Sequence, residues 1–179
     1  RTYTVLAHKA GLWTGHGRAY AGEIICVPLI PTDAEIQPTA QLAPTSIQLA
    51  SRQAFGHKGS YGHVFIVGGH ADMGGAVIMA AEAAFSAGAG KVSVVCNAKH
   101  HTAILSRSPN IMVKDIDALS DSDLEDILQQ ASAVAFGMGL GRDAWAERQF
   151  VRWMRKIELF NQQHHAVEHA IELVLDADS

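Results

Sequence analysis

The sequence has little of what most readily sorts a chain into a class. It holds two cysteines, Cys26 and Cys96, far apart and without C-x-x-C spacing. That excludes a disulfide scaffold and points to reduced thiols in a cytoplasmic protein. No uninterrupted apolar run is long enough to span a bilayer, and Glu82 breaks the most apolar helical stretch, so no membrane association is expected. Basic residues are not in excess: 14 Lys and Arg stand against 18 Asp and Glu, a net charge of -4. Without a basic footprint, nucleic acid is not the expected partner. Charged residues make up 18% and hydrophobic residues 48%, the balance of a globular chain, and 179 residues suffice for one sizeable core. There is no internal repeat and no low-complexity tract. The chain begins at Arg1, without a methionine or a signal-like apolar core, and reads as cut from something longer.

The usual chemical motifs are missing too. Gly69 and Gly74 have Walker A spacing, but Gly75-Ala76 stands where Lys-Ser/Thr is needed. The dinucleotide pattern G-x-G-x-x-G is absent. Ser60, Ser86 and Ser93 have no G-x-S-x-G context, which disfavours a serine hydrolase. There are ten histidines, yet no metal site is expected. His165 and His169 are four apart, but Ala166 occupies the position that H-E-x-x-H gives to Glu. His164, His165 and His169 read instead as an exposed polar segment, and His100-His101 has no second ligand pair. Trp145 and Trp153 read as helix packing.

What is present is concentrated in residues 57–90, HKGSYGHVFIVGGHADMGGAVIMAAEAAFSAGAG. Residues 63–67 form a short apolar run that stops at Gly68-Gly69, as a strand buried on both faces does. Gly74-Gly75 opens a helix over 76–87 built largely from alanine, with little side chain to hold off a sheet or a ligand. Gly88-Ala89-Gly90 ends it, and KVSVVC at 91–96 is the next strand. The result is a βαβ unit whose first turn is bare backbone at a helix N-terminus, where free N–H groups can meet an anion. By itself this turn fits a plain tight connection as well as it fits a binding loop.

The alternation extends in both directions. Residues 2–7 and 22–27 read as strands. Residues 31–44 carry three prolines and little apolar periodicity, which predicts an interdomain linker; a short helix over 45–52 would follow, capped by Thr45. Further on, the pattern predicts a helix over 99–107 and a strand over 110–113. A helix follows with Ser122 and Glu125 as its capping box and Leu124, Ile127, Leu128 and Ala131 on its buried face. Residues 133–136 predict a strand ending in Gly137-Met138-Gly139-Leu140-Gly141. Asp143 would cap a helix with Phe150, Trp153, Met154 and Ile157 along its buried stripe. Residues 173–175 predict a last strand, ending in Asp176-Ala177-Asp178. Such alternation implies a mainly parallel sheet covered by helices. Gly68-Gly69, the 137–141 run and the two aspartates then fall at carboxyl ends of strands, where open α/β sheets bind ligands.

Three segments in this order resemble the ADP- or ATP-dependent NAD(P)H-hydrate dehydratase family: residues 57–95, AVAFGMGLG at 133–141 and LVLDAD at 173–178. TYTVLAHKAGLWTGHGRAYAGEIICVPL at the start resembles the end of an NAD(P)H-hydrate epimerase domain, which in many bacterial proteins precedes the dehydratase on one chain. The resemblance implies a ribokinase-like α/β fold, with the tail of a Rossmann-like epimerase domain at 1–30, a linker at 31–50 and the first half of the dehydratase domain at 51–179.

It also implies the chemistry of metabolite repair. The epimerase interconverts the R and S hydrates of NADH and NADPH. The dehydratase restores the cofactor from the S hydrate by phosphorylating the ring hydroxyl and eliminating phosphate. ADP or ATP and Mg2+ are the implied cofactors, with K+ for the epimerase part, and a homo-oligomeric parent is implied. By resemblance Ala76 and Gly139 match substrate contacts, Asp176 and Asp178 match the motif beside phosphoryl transfer, and His57, Lys58 and Gly59 match a signature without an assigned role. Lys58 reads equally as a solvated surface lysine. The catalytic aspartates are expected beyond Ser179 and before Arg1, so the chain alone is expected to be inactive. Met138 stands where the family usually has Pro, and Ala10 stands where it has the Pro of K-P-G-L. The stretch 153–173 is longer than family spacing. Another ribokinase-like small-molecule kinase, or a non-catalytic nucleotide-binding module, would share the same fold features.

Overall fold

A period of two in the strands sorts the core residues onto two faces. In the computed structural model, which describes residues 1–31, 40, 46, 51–164 and 170–176, Phe65, Val67, Val95, Val134 and Phe136 lie in one buried cluster. Their chain neighbours Ile66, Val94, Cys96 and Ala135 lie in another. The strands are β3 (His63–Gly68), β4 (Lys91–Cys96), β5 (Met112–Asp115), β6 (Ala133–Met138) and β7 (Glu172–Leu175). Successive side chains of a strand point to opposite faces, and both faces here are apolar because helices cover both.

One face packs against α4 (Asp121–Gln130) and α5 (Ala144–His164), through Leu124, Ile127, Leu128, Trp153, Ile157 and Phe160. The other packs against α2 (Gly74–Ala87) and α3 (His101–Arg107), through Val77, Ala81 and Ile104. All pairings in this sheet are parallel, and the strand order is β5-β4-β3-β6-β7. The chain starts at β3, builds outward through β4 and β5, then returns to add β6 and β7 on the other side. The order therefore reverses between β3 and β6, the place where doubly wound sheets open a crevice.

The described residues divide into two compact units, Arg1–Ser51 and Arg52–Ser179. The first holds β1 (Thr2–Val5) and β2 (Ile24–Val27) in parallel register, with α1 (Gly17–Ala21) between them in sequence. β1 is shorter than the expected 2–7 because Leu6 has φ of 69°, which takes the backbone out of the extended region. The K-A-G-L segment at 9–12 enters a short 3-10 turn, Ala10–Leu12. Most of the expected linker and of the 45–52 helix lies outside the described residues.

Several boundaries moved. The capping box of α4 is Ser120 with Asp123, not Ser122 with Glu125: Ser120 Oγ accepts from the Asp123 N–H at 3.2 Å and Asp123 Oδ2 accepts from the Ser120 N–H at 2.8 Å. Both pairs satisfy the spacing rule, but the helix begins at Asp121 with Ser120 extended ahead of it, which makes Ser120 the N-cap. The strand expected at 110–113 starts at Met112, because Ser108 O takes the Ile111 N–H in a turn. Of the 153–173 stretch, residues 153–164 belong to α5, which runs 21 residues, and 165–169 lie outside the described residues. His164 is not an exposed polar residue: it is half-buried, stacked on Phe160 at 4.1 Å, with Nδ1 donating to Phe160 O at 2.8 Å. His165 and His169 lie outside the described residues. Among those described, no helix is long and apolar enough to cross a membrane.

Candidate functional site

β3, β6 and β7 bring their carboxyl ends together. Gly69 N–H donates to Met138 O at 2.9 Å and His70 N–H to Gly139 O at 2.8 Å, lacing the loop after β3 to the run after β6. Asp176 N–H donates to Phe136 O at 2.9 Å, which sets the first aspartate of D-A-D beside the same edge. Asp178 lies outside the described residues.

Close backbone approach explains the glycines best at Gly68 and Gly139. A Cβ on Gly68 would stand 2.2 Å from Met138 O. A Cβ on Gly139, where φ is 62°, would stand 2.4 Å from Met73 O and 3.4 Å from the Ala76 Cβ. Ala76 and Gly139, expected as separate contacts, therefore lie side by side across the β3/β6 crevice. The N-terminus of α2 opens beside them. Met73 occupies the N-cap position and makes no side-chain capping bond. A Cβ on Gly75 would meet nothing within 4 Å. The uncapped first turn of this 14-residue helix leaves backbone N–H groups without intrahelical partners, and the helix dipole adds partial positive charge there.

Several residues around the crevice carried no motif. Asp143 caps α5, its Oδ1 accepting from the Trp145 and Ala146 N–H groups at 3.0 and 2.9 Å. Its Oδ2 lies 3.2 Å from His70 Nε2. The Asp143 carboxyl is held below its ordinary range, first by the Ala146 N–H. His100 Nε2 donates to His70 O at 2.8 Å. Trp145 does more than pack: its Nε1 donates to Asp117 Oδ1 at 2.7 Å, and Asn97 Nδ2 donates to Asp117 Oδ2 at 3.1 Å. Only Asp143, as a helix cap, was legible beforehand.

His57, Lys58 and Gly59 are not brought to this crevice. They precede β3 and lie at its amino end, about 20 Å away along a six-residue strand. There they form a clasp. His57 Nδ1 accepts from the Gly59 N–H at 3.0 Å. Tyr61 O and Gly62 O take the Gly90 and Lys91 N–H groups at 2.9 and 3.0 Å, closing the turn into β4. Arg52 lies over the Tyr61 ring at 4.5 Å and donates to Gly88 O at 2.6 Å. Lys58 itself is exposed.

Cys96 is buried, and burial, reinforced by Asp115, pushes its thiol up to about 12; it is no nucleophile. Among the described residues no group of three or more His, Cys, Asp or Glu could hold a metal ion.

The doubly wound sheet, its crevice between β3 and β6 and the uncapped helix beside it define a ribokinase-like α/β domain. A ribokinase-like superfamily protein of Enterococcus faecalis shares the architecture: TM-score 0.53, 26% identity, 69% of this chain and 48% of that one. The sequence model of NAD(P)H-hydrate dehydratase matches residues 64–179, and the chain belongs to that family. The bifunctional NAD(P)H-hydrate repair enzyme of Coxiella burnetii is 36% identical over 99% of this chain and 35% of its own length. The ADP-dependent (S)-NAD(P)H-hydrate dehydratase of Staphylococcus aureus is 36% identical over 55% of this chain and 35% of its own length. The chain thus spans about a third of the length of these curated relatives.

Proposed function

We propose that the protein carrying this chain restores hydrated NADH and NADPH, dehydrating the S hydrate at the expense of ADP or ATP. The observation that carries the reading is the crevice where Ala76 and Gly139 face each other beside the uncapped α2 N-terminus. Ala76 and Gly139 stand within one methyl group of each other, so this wall of the crevice carries almost no side chain and a flat ring can lie against it. The adjoining N–H groups suit the charge of a phosphoryl group.

The chemistry balances simply. The ring hydroxyl attacks the terminal phosphoryl group of the nucleotide, its proton is released, and the nucleotide loses one phosphate. The C–O bond then breaks with its electron pair leaving on phosphate, and a proton departs from the adjacent carbon as the ring double bond re-forms. Hydroxide leaves poorly and phosphate leaves well, which is why a nucleotide is needed. In this scheme the α2 N-terminus binds anionic oxygens, Ala76 and Gly139 give the ring room, and Asp176 stands at the nucleotide side. In this reading a divalent cation enters with the nucleotide.

Residues 1–30 are read as the end of an epimerase domain that uses K+, followed by a linker at 31–50. The match to a bifunctional relative across 99% of the chain supports this. The two free cysteines support a cytoplasmic location, and the net charge of -4 supports partners other than nucleic acid. A homo-oligomeric parent belongs to the same reading.

The test uses the whole protein with hydrated NADPH and either nucleotide, following recovery of reduced-nicotinamide absorbance. Nucleotide-dependent recovery of the S form is expected. No recovery with either nucleotide would sink the reading.

A further inference from the structure

The width of the crevice depends on how the loop after β3 is held against the run after β6. Two backbone bonds join them, from Gly69 N–H to Met138 O and from His70 N–H to Gly139 O. Bonds in loops of this kind open locally at little cost. The His70 side chain adds a third tie of a different sort. Its Nε2 lies 3.2 Å from Asp143 Oδ2, while Asp143 Oδ1 remains on the Trp145 and Ala146 N–H groups. One carboxylate thus serves two ends, capping the 21-residue α5 and gripping the loop after β3.

The neighbours of His70 are fixed as well. Its carbonyl accepts from His100, just after β4. Its ring meets the edge of Trp145 at 4.9 Å, and Trp145 is anchored on Asp117, after β5. The His70 side chain is three-quarters buried, at 25% exposure. Its contacts therefore tie the loop after β3 to the segments following β4, β5 and β6 along the carboxyl edge.

We propose that His70, acting through Asp143, is a positioning residue for the substrate cleft: it sets the spacing between the loop after β3 and the 137–141 run, and with it the seating of Gly139 against Ala76 that forms the cleft wall. This rests on reading that wall as the surface against which the hydrated nicotinamide ring lies. His70 acts through the backbone it holds. The pair is half in solvent on the Asp143 side, at 58% exposure, so its contribution to global stability is small and its effect is local. A looser cleft weakens substrate and transition state alike, which raises KM and spares kcat.

The test compares three variants in the whole protein. His70→Ala removes the tie. His70→Gln keeps an N–H donor at similar reach and is the conservative rescue. Asp143→Ser keeps a good helix cap but is too short to hold His70. Two readouts are taken: amide hydrogen exchange of the peptides spanning residues 69–70 and 139–141, and KM and kcat for the S hydrate of NADPH.

His70→Ala and Asp143→Ser should each raise exchange in those peptides roughly tenfold and KM about fivefold, with kcat changed less than about twofold. The double variant should add nothing further, and His70→Gln should stay near wild type. Unchanged exchange in both single variants overturns the proposal whatever the activity. So does a fall in kcat at constant KM, or a His70→Gln protein as impaired as His70→Ala. If exchange responds as expected but the wild-type protein repairs no hydrate, the loop tie stands and the functional reading is what fails.

Discussion

Ala76 and Gly139, 63 residues apart in the chain, are separated in space by one missing methyl group. The Ala76 Cβ lies 3.4 Å from where a Cβ on Gly139 would sit. Ala76→Leu should push side-chain volume from that wall into the crevice. Ala76 is half-buried at the start of α2, where a larger side chain has the crevice to enter. We expect KM for the hydrate to rise tenfold or more, about 1.4 kcal/mol, with the thermal midpoint little changed. Kinetics and melting on the same preparation decide it: an unfolded variant, or one with unaltered KM, contradicts the assignment.

His63 gives the fold a pH dependence of predictable sign. Its Nε2 bonds Ser93 Oγ at 2.8 Å beneath the sheet, and burial first, then Lys91 and Lys114, lowers it from 6.5 to about 4. The folded protein resists the proton that the unfolded chain accepts. Above pH 6.5 both states hold a neutral ring and His63 adds no pH dependence. As pH falls from there to about 4, stability should drop by roughly 2–3 kcal/mol from this group alone. Urea unfolding across that window should show a shallower slope for His63→Gln than for wild type. Parallel slopes would remove His63 as the cause.

The capping box of α4 can be located by two single substitutions. Ser120→Ala should cost about 1 kcal/mol, because the Asp123 N–H loses its acceptor at the helix start. Ser122→Ala should cost less than about 0.5 kcal/mol: its exposed hydroxyl lies 2.9 Å from Ser120 Oγ, but its loss leaves the Ser120–Asp123 capping bonds in place. Denaturation midpoints of the two variants give the ranking, and the reverse order would restore Ser122 as the cap.

β7 pairs with β6 on one side and, among the described residues, with nothing on the other. Leu173, Val174 and Leu175 are 37%, 56% and 52% exposed. An apolar edge of this kind templates association. Residues 1–179 prepared alone should self-associate as concentration rises, and Val174→Lys should suppress it, since an edge lysine opposes strand addition. Light scattering over a concentration series tests this. A wild-type monomer at every concentration would show the edge to be harmless.

Sequence alone determined the features set by local rules. The apolar runs at 63–67, 91–96 and 133–136 became strands because residues buried on both faces must be apolar throughout. The helix opened by Gly74-Gly75 followed from its alanine content and the glycines that end it, and the stripe with Trp153 and Ile157 from the helical period. Gly68, Gly69, Gly137, Gly139 and Gly141 marked the loops because a side chain there meets backbone or a left-handed φ. The ordered motifs were enough to name the family.

Tertiary structure decided what depends on which strands become neighbours. That β6 returns to lie beside β3, placing Ala76 against Gly139, is a long-range pairing that no window of sequence encodes. The His70–Asp143 tie exists only because two loops 73 residues apart share that edge. Neither residue belongs to a spacing rule that predicts the other. His57, Lys58 and Gly59 are close in sequence to the glycine loop, yet β3 carries them to the opposite end. A strand separates what it connects by its own length, so nearness along the chain is no guide to nearness at the site.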